Sequence, residues 1–167
     1  MIIDFAFSAW QSWERRTQLQ NLHYPGIYAI ATDIDLSGME FDWIPQIVYF
    51  GMTNSAAGLR GRMKQFDNSL IGRPGHGGGQ RFMFGQRTDG SQRQKLYVSV
   101  WTFECDVRSD APADLRMMGE VLRAEFLCFA KYVEKFGRLP KFNDKKSSPK
   151  MRLSSQTVAA GSSPPTL

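Results

Sequence analysis

Residues 26–31 read GIYAIA and residues 46–51 read QIVYFG, and these two stretches decide the fold. The first follows Pro25 and has a Tyr/Ile alternation that is typical of a β-strand, and the second is equally rich in β-branched and aromatic residues. The acidic segment between them is longer than the loops that usually join hairpin strands, so it should bulge outward. We expect the two strands to pair as a hairpin.

Helices are predicted on both sides of this hairpin. The stretch 4–20 spaces its aromatic residues as an amphipathic helix does, so residues 1–23 are interpreted as a helical extension. A second helix is expected over 56–66, with Ser55 as its N-cap. Its apolar stripe consists of Leu59, Met63 and Phe66.

The longest predicted helix begins after Asp110, which should cap it, and has Pro112 in its first turn. It runs to about Phe136, because Gly137 is a typical helix stop. Its apolar stripe is Leu115, Met118, Leu122, Phe126, Phe129 and Val133. This stripe is expected to pack on the sheet.

The remaining segments complete an α+β architecture. Residues 96–105 alternate aromatic and β-branched side chains and are predicted as a third strand. Residues 72–93 are rich in glycine and arginine and are interpreted as a loop, with a brief helix or strand at the apolar patch 82–84. We therefore expect a small three-stranded, mainly antiparallel sheet flanked by helices, in a single domain over residues 24–144.

Composition indicates a basic globular protein. The chain has 167 residues, of which 42% are hydrophobic and 22% charged, and a net charge of +5. Residues 1–59 carry two basic and six acidic side chains, whereas 60–95 carry eight basic and two acidic ones. A basic middle indicates a polyanionic partner. Residues 145–167 are basic and rich in Ser and Pro, which is typical of a disordered tail.

Neither cysteine suggests a disulfide or a zinc site, because Cys105 and Cys128 are isolated and no CxxC pair occurs. No run of the sequence approaches the roughly 18 consecutive apolar residues of a membrane span. A cytoplasmic location without a membrane partner is therefore expected.

Glu125 is an unusual carboxylate by position alone. It lies about 60° from Leu122 on a helical wheel, at the edge of the predicted stripe, where a carboxylate is costly unless it is paired or binds a metal. Glu120 and Glu134 lie on the far face and provide internal comparisons. The alternative is that Glu125 reaches water or pairs with an arginine.

Arg62 shows the same geometry on the earlier helix, about 60° from the Leu59 face, while Arg60 points away. A guanidinium held at a core edge can present its planar fork to a phosphate and stabilise a pentavalent transition state. The alternative is a solvated helix arginine.

The order of two tyrosine motifs, an arginine, a late glutamate and a closing asparagine resembles the GIY-YIG nuclease superfamily, over residues 24–144. Tyr28 matches the tyrosine of the first motif, Tyr49 that of the second, and Thr53 the Ser or Thr that often follows it. Arg62 falls at the arginine of the L-x-x-R helix, and Glu125 matches the late metal-binding glutamate. Asn143 resembles the asparagine of the closing Tyr-Asn.

The resemblance implies a DNA endonuclease that uses one divalent cation, Mg²⁺ or Mn²⁺, held chiefly by Glu125. It implies that Tyr28 activates the attacking water, that Tyr49 positions the water or the phosphate, and that Arg62 steadies the phosphoryl oxygens. His76 resembles a second histidine that some members carry, and it would assist proton transfer; the alternative is a loop histidine that contacts backbone or solvent.

A nucleic-acid-binding set is also predicted around this site: Thr53, Arg60, Lys64, Arg73, Arg81 and Asn143. One departure from the family argues against cleavage: Phe66 occupies a position where many members have histidine or tyrosine. A degenerate module that binds nucleic acid without cleaving it is therefore the alternative function. A basic domain that binds RNA or an acidic protein is a third, and a monomer and a homodimer both remain open.

Overall fold

A computed structural model of the protein describes residues 4–75, 77–88 and 95–144. The described strands are β1 (Gln11–Ser12), β2 (Gly26–Ala31), β3 (Ile47–Thr53) and β4 (Tyr97–Thr102). The described helices are a 3₁₀ helix (Trp13–Gln18), α1 (Gly58–Leu70), α2 (Gly77–Thr88) and α3 (Pro112–Phe136). The strands form one sheet in the order β1-β4-β2-β3, and every pairing is antiparallel. The predicted α+β class is confirmed.

β2 lies at the centre of the packing, because all six of its residues are buried. It pairs with β3 on one side, with Tyr28 opposite Gly51, and with β4 on the other, with Tyr28 opposite Val100. The predicted hairpin of β2 and β3 is therefore confirmed.

The alternation of side chains along β2 divides the core into two layers. Ile27, Ala29 and Ala31 belong to the layer that packs against α3. Tyr28 and Ile30 belong to the opposite layer, which packs against α1 and also contains Phe82 of α2 and Phe142. The sheet thus separates α3 from α1 and α2.

The prediction of three strands was wrong, and so was the helix over 4–20. Phe5 and Phe7 pack on the same core at the two-residue spacing of an extended chain. The backbone N–H of Ser8 donates to the carbonyl of Val100 (2.8 Å), and the N–H of Trp13 donates to that of Leu96 (2.8 Å). The segment therefore runs beside β4 and provides the short fourth strand, and only Trp13–Gln18 is helical.

The N-terminal segment is also part of the domain rather than an extension of it. Trp10, Trp13 and Leu22 are buried in the two core layers. The tail predicted over 145–167 lies outside the described residues.

α2 occupies most of a segment that was interpreted as a loop. Gly79 allows it to pack closely on α1, since an added Cβ would lie 2.5 Å from the Cβ of Ser69. Phe82 is buried from α2 with its ring centroid 5.0 Å from that of Phe142. Glycine therefore serves helix packing in this segment, where the sequence indicated irregular backbone.

α3 has nearly the predicted bounds, and Gly137 ends the helix with a left-handed φ of 71°. The predicted cap was wrong, because the N-cap is Ala111 rather than Asp110 and makes no side-chain capping hydrogen bond.

Apart from Phe129, which packs against the core, the predicted apolar stripe was wrong. The buried face of the helix consists of Val121, Ala124, Cys128 and Tyr132. The Tyr132 hydroxyl lies 3.0 Å from the Pro45 carbonyl and 2.9 Å from the Ile47 carbonyl, which fixes this face toward β3. The larger residues of the predicted stripe, including Leu122 and Phe126, are left exposed.

Candidate active site

Two tyrosines from neighbouring strands form the centre of the candidate site. Tyr28 of β2 is buried, and Tyr49 of β3 is half-buried beside it. Their ring centroids lie 5.8 Å apart, and their hydroxyl groups are hydrogen-bonded to each other. The outer tyrosine is thus oriented by the buried one.

The two motif glycines make this arrangement sterically possible. A Cβ on Gly51 would lie 2.6 Å from the ring and hydroxyl of Tyr28, so only glycine allows that ring to lie across β3. A Cβ on Gly26 would overlap the backbone carbonyl oxygen of Trp101 in β4. Glycine at these positions is therefore required by the packing of β2 against both of its neighbours.

Arg62 reaches the tyrosine pair from α1. Its Nη1 donates to Oε1 of Gln65 (3.2 Å), and its Nε is buried without a hydrogen-bond partner among the described residues. The guanidinium lies within electrostatic range of the two tyrosine hydroxyls, because its charge lowers the pKa of both. The predicted core-edge position of Arg62 is therefore what the structure shows.

Glu125 lies on α3, on the other side of the sheet, and is within electrostatic range of the same hydroxyls. It is half-buried at the border between the packed face and the exposed stripe of that helix. Its charge raises the pKa of both Tyr28 and Tyr49. Four elements therefore bring Tyr28, Tyr49, Arg62 and Glu125 together.

Burial determines the protonation of the tyrosines. Desolvation raises the pKa of Tyr28 well above its ordinary value of 10, and desolvation also raises the pKa of Tyr49. The hydrogen bond between them raises the pKa of Tyr28 and lowers that of Tyr49. Both side chains are therefore neutral phenols at neutral pH, with Tyr49 the easier of the two to ionise.

Phe66 fills the space next to the tyrosines. It is buried, with ring centroids 6.2 Å from Tyr28, 5.9 Å from Tyr49 and 5.3 Å from Trp13. A benzyl ring cannot donate or accept a proton, so this position contributes packing and no proton-transfer group. His76, the other predicted proton-transfer residue, lies outside the described residues.

Arg81, which the sequence placed in the nucleic-acid-binding set, acts on this centre as well. Its charge lowers the pKa of Tyr49, so α2 brings a second guanidinium within electrostatic range of the outer tyrosine. The side chain is half-buried and adjoins Phe82, whose buried ring fixes the rotation of α2. The apolar patch at 82–84 was the sequence signal for a helix in this segment. Because Phe82 anchors that helix in the core, it also determines where the neighbouring Arg81 lies.

Thr53 has a backbone-organising role in the structure. It is buried, and its Oγ1 donates to Oγ of Ser55 (3.0 Å) and accepts from the Ser55 N–H (3.1 Å). These bonds shape the turn between β3 and α1 and occupy the hydroxyl. The geometry places Thr53 away from the solvent-facing groups that would contact DNA.

Asn143 also binds backbone, at the outer edge of β3. Its Oδ1 accepts from the N–H of Phe50 (2.8 Å), and its Nδ2 donates to the carbonyl of the same residue (2.8 Å). The N–H of Phe142 donates to the carbonyl of Val48 (2.9 Å). The C-terminal turn thus pairs with β3 on both sides of Tyr49 and holds this tyrosine in position.

Replacing Asn143 should therefore loosen β3. Asn143→Ala removes both amide hydrogen bonds, and we expect it to lower the free energy of unfolding by about 2 kcal/mol. Asn143→Asp keeps the shape and one acceptor but directs an anionic oxygen at the Phe50 carbonyl, so it should destabilise at least as much. Urea unfolding of the two variants tests this; an Asn143→Asp protein as stable as wild type would contradict the assigned hydrogen bonds.

The exposed basic residues of the predicted nucleic-acid-binding set do not converge on the tyrosines. Arg60 and Lys64 are exposed and lie one turn apart on α1. Arg60 is about 200° around the helix from Arg62, so these two residues face away from the site. Arg73 is exposed after the end of α1.

Among the described residues near the tyrosine pair, Glu125 is the candidate metal ligand. No group of three or more His, Cys, Asp or Glu residues that would hold a metal occurs within residues 4–75, 77–88 and 95–144. Mg²⁺ often keeps several water ligands and binds through one or two carboxylates, so the single half-buried carboxylate that Glu125 supplies fits such an ion. It does not fit Zn²⁺, which takes several protein ligands.

Comparison with known proteins adds no family to this geometry. No family model matches the chain, and neither a curated protein nor a solved structure matches it. Among the described helices, none combines the length and apolar character needed to cross a membrane. The arrangement of the side chains is therefore the basis for assigning a function.

Proposed function

We propose that the protein is a divalent-metal-dependent endonuclease that hydrolyses phosphodiester bonds of DNA, as GIY-YIG nucleases do. One observation carries this proposal: the convergence of Tyr28, Tyr49, Arg62 and Glu125 from four separate elements. These are the residue types that a hydrolytic phosphoryl transfer requires, namely hydroxyls for water, a guanidinium for phosphate and a carboxylate for a metal.

Glu125 would hold Mg²⁺ or Mn²⁺, which supplies Lewis-acid stabilisation of the scissile phosphate when bound. The carboxylate lies within electrostatic range of both tyrosine hydroxyls. A substrate phosphate at Glu125 would therefore also lie near Tyr49 and Arg62. The proposed role of Glu125 is to hold this cation, since the carboxylate itself would repel a phosphate.

Arg62 would steady the phosphoryl oxygens. Its fork is held by Gln65 on one side, and its Nε is already removed from water, so little reorganisation is needed when negative charge develops. Arg81 adds positive charge near Tyr49 from a second helix. Both guanidiniums favour the anionic transition state over the ground state.

The tyrosines would position the attacking water as neutral hydroxyls. Because burial raises the pKa of Tyr28 so strongly, Tyr49 is the hydroxyl better suited to contact the water. Tyr28 would act through its hydrogen bond to Tyr49. The activating role that the resemblance implies for Tyr28 is thus shared with Tyr49 in this proposal.

Phe66 is the observation that favours a second candidate function, a nucleic-acid-binding module without cleavage. Its buried ring stands beside both tyrosines and cannot transfer a proton. In this alternative, Arg60, Lys64 and Arg73 would still bind phosphates through their exposed charges.

Nicking of supercoiled plasmid distinguishes the two functions. The purified protein is incubated with Mg²⁺, Mn²⁺ or EDTA, and DNA binding is measured in parallel over a range of salt concentrations. The proposal requires nicking with a metal and none with EDTA. Salt-sensitive binding without any nicking would support the binding module instead.

Arg62→Lys tests whether nicking requires the planar guanidinium of Arg62 or only its positive charge. Lysine retains the positive charge but loses the planar fork, so we expect nicking to fall about a hundredfold with little change in DNA binding. Arg60→Lys, on the opposite side of α1, is the matched control and should nick at the wild-type rate. Equal rates for all three proteins would remove Arg62 from the mechanism.

A further inference from the structure

α3 carries a second apolar face that the other described residues leave exposed. Leu115, Leu122, Phe126 and Val133 form a line along the helix, and their exposed fractions are 50%, 51%, 69% and 39%. This line, which we call the α3 stripe, extends about five helical turns, or roughly 27 Å. A stripe of this length with a 69%-exposed phenylalanine near its middle is typical of a surface that binds another protein.

The spacing within the α3 stripe is symmetric. Its members are separated by seven, four and seven residues. A two-fold axis across the helix at Ala124 therefore places Leu115 opposite Val133 of a second copy, and Leu122 opposite Phe126 of that copy. Self-complementarity about a two-fold axis is the defining property of an isologous homodimer interface.

The charges beside the stripe follow nearly the same symmetry, because the midpoint of Arg116 and Glu134 is residue 125, one residue from Ala124. Arg116 follows Leu115 and Glu134 follows Val133, so both lie on one flank, about five turns apart. Both are exposed. In an antiparallel pair of helices, this flank faces the same flank of the other copy, which brings each Arg116 opposite the partner's Glu134.

The middle of the helix also permits a close approach. Gly119 lies beside the stripe, and nothing is within 4 Å of the position that its Cβ would occupy. A small residue next to Leu122 and Phe126 leaves room for a large side chain from the facing helix. The apolar stripe, the flanking charges and the space at Gly119 thus all favour an antiparallel pair of α3 helices.

We propose that a second copy of this chain docks on the α3 stripe, with the two α3 helices antiparallel about a two-fold axis at Ala124. The proposal concerns assembly and holds whether or not the protein cleaves DNA. Glu125 is one residue from Ala124, which marks the level of the two-fold axis. In the dimer, the two Glu125 residues would therefore lie at nearly the same height along the paired helices.

Sedimentation velocity over a range of concentrations tests the dimer. We expect wild type to sediment as a dimer and Phe126→Glu as a monomer, because the variant puts two carboxylates into the centre of the interface. Met39→Glu, at an exposed apolar residue outside α3, is the matched control and should remain dimeric. Far-UV circular dichroism checks that the variants are folded, which is expected since both positions are mostly exposed.

A charge exchange tests the antiparallel orientation. Arg116→Glu and Glu134→Arg each create two like-charge contacts and should raise the dimer dissociation constant roughly tenfold. An equimolar mixture of the two variants re-forms both opposite-charge contacts, so the heterodimer should regain wild-type affinity. A wild type that is monomeric at every concentration, a dimeric Phe126→Glu protein, or a mixture no tighter than its components would overturn the proposal.

Discussion

Glu125→Gln is expected to lower the rate of plasmid nicking by at least about a thousandfold, because a metal contributes several kcal/mol of transition-state stabilisation and each 1.4 kcal/mol is tenfold in rate. Glutamine keeps the size of the side chain and removes the negative charge that would hold the cation. The half-buried position of Glu125, beside two tyrosine hydroxyls, is the reason that no neighbouring carboxylate of α3 would replace it.

Glu120→Gln is the matched control, since Glu120 lies on the same helix but is exposed and paired with Arg123 (2.8 Å). It should nick at the wild-type rate with the same metal dependence. DNA binding by Glu125→Gln should persist, because the exposed arginines and lysines are unchanged. Wild-type nicking by Glu125→Gln would remove the metal role from this residue and, with it, the basis of the proposed mechanism.

Gly26→Ala is expected to produce the largest loss of stability, about 3 kcal/mol or more. The added methyl group would overlap the carbonyl oxygen of Trp101, and its other near neighbours are the Cα of Thr102 and the side chain of Leu59, both at 3.1 Å. Backbone cannot rotate away as a flexible side chain can, so β2 would have to separate from β4. Urea unfolding followed by far-UV circular dichroism measures the change.

Gly119→Ala provides a control of the same chemistry. Nothing lies within 4 Å of its added Cβ, and alanine favours a helix interior over glycine, so a gain of about 0.5–1 kcal/mol is expected. The two variants should therefore move the unfolding midpoint in opposite directions. A Gly26→Ala protein that unfolds at the wild-type urea concentration would show that β2 and β4 are not packed as described.

The strands of the hairpin could be predicted from sequence because their signal is local. β2 has the predicted bounds, and β3 begins one residue later than expected and ends two residues later. The N-terminal strand could not be found in this way, because its hydrogen bonds go to Leu96 and Val100, far along the chain. Its aromatic residues fit a helical spacing and an extended one, and only pairing with β4 decides between them.

The buried face of α3 could not be predicted from the sequence, for a different reason. Ranking residues by hydrophobicity favours the line through Leu122 and Phe126, whereas the sheet accepts the smaller Ala124 and Cys128. Small residues let the helix approach the strands closely, and the Tyr132 hydroxyl satisfies backbone carbonyls beside β3. A helix with two apolar faces cannot be oriented from periodicity alone.

For the candidate site, sequence order located Tyr28, Tyr49, Arg62 and Glu125, which the fold brings together. It did not separate residues that face substrate from residues that organise backbone, as Thr53 and Asn143 do. Such a distinction depends on hydrogen bonds between segments distant in sequence.

The turn at Phe142 and Asn143 has one more consequence, for aggregation. β3 is the last strand of the described sheet, and this turn satisfies the C=O of Val48 and both the N–H and the C=O of Phe50. Open strand edges recruit strands from other molecules, and proteins commonly cover them. A chain shortened before Phe142 would expose this edge, so these C-terminal residues protect the folded protein against edge-to-edge association.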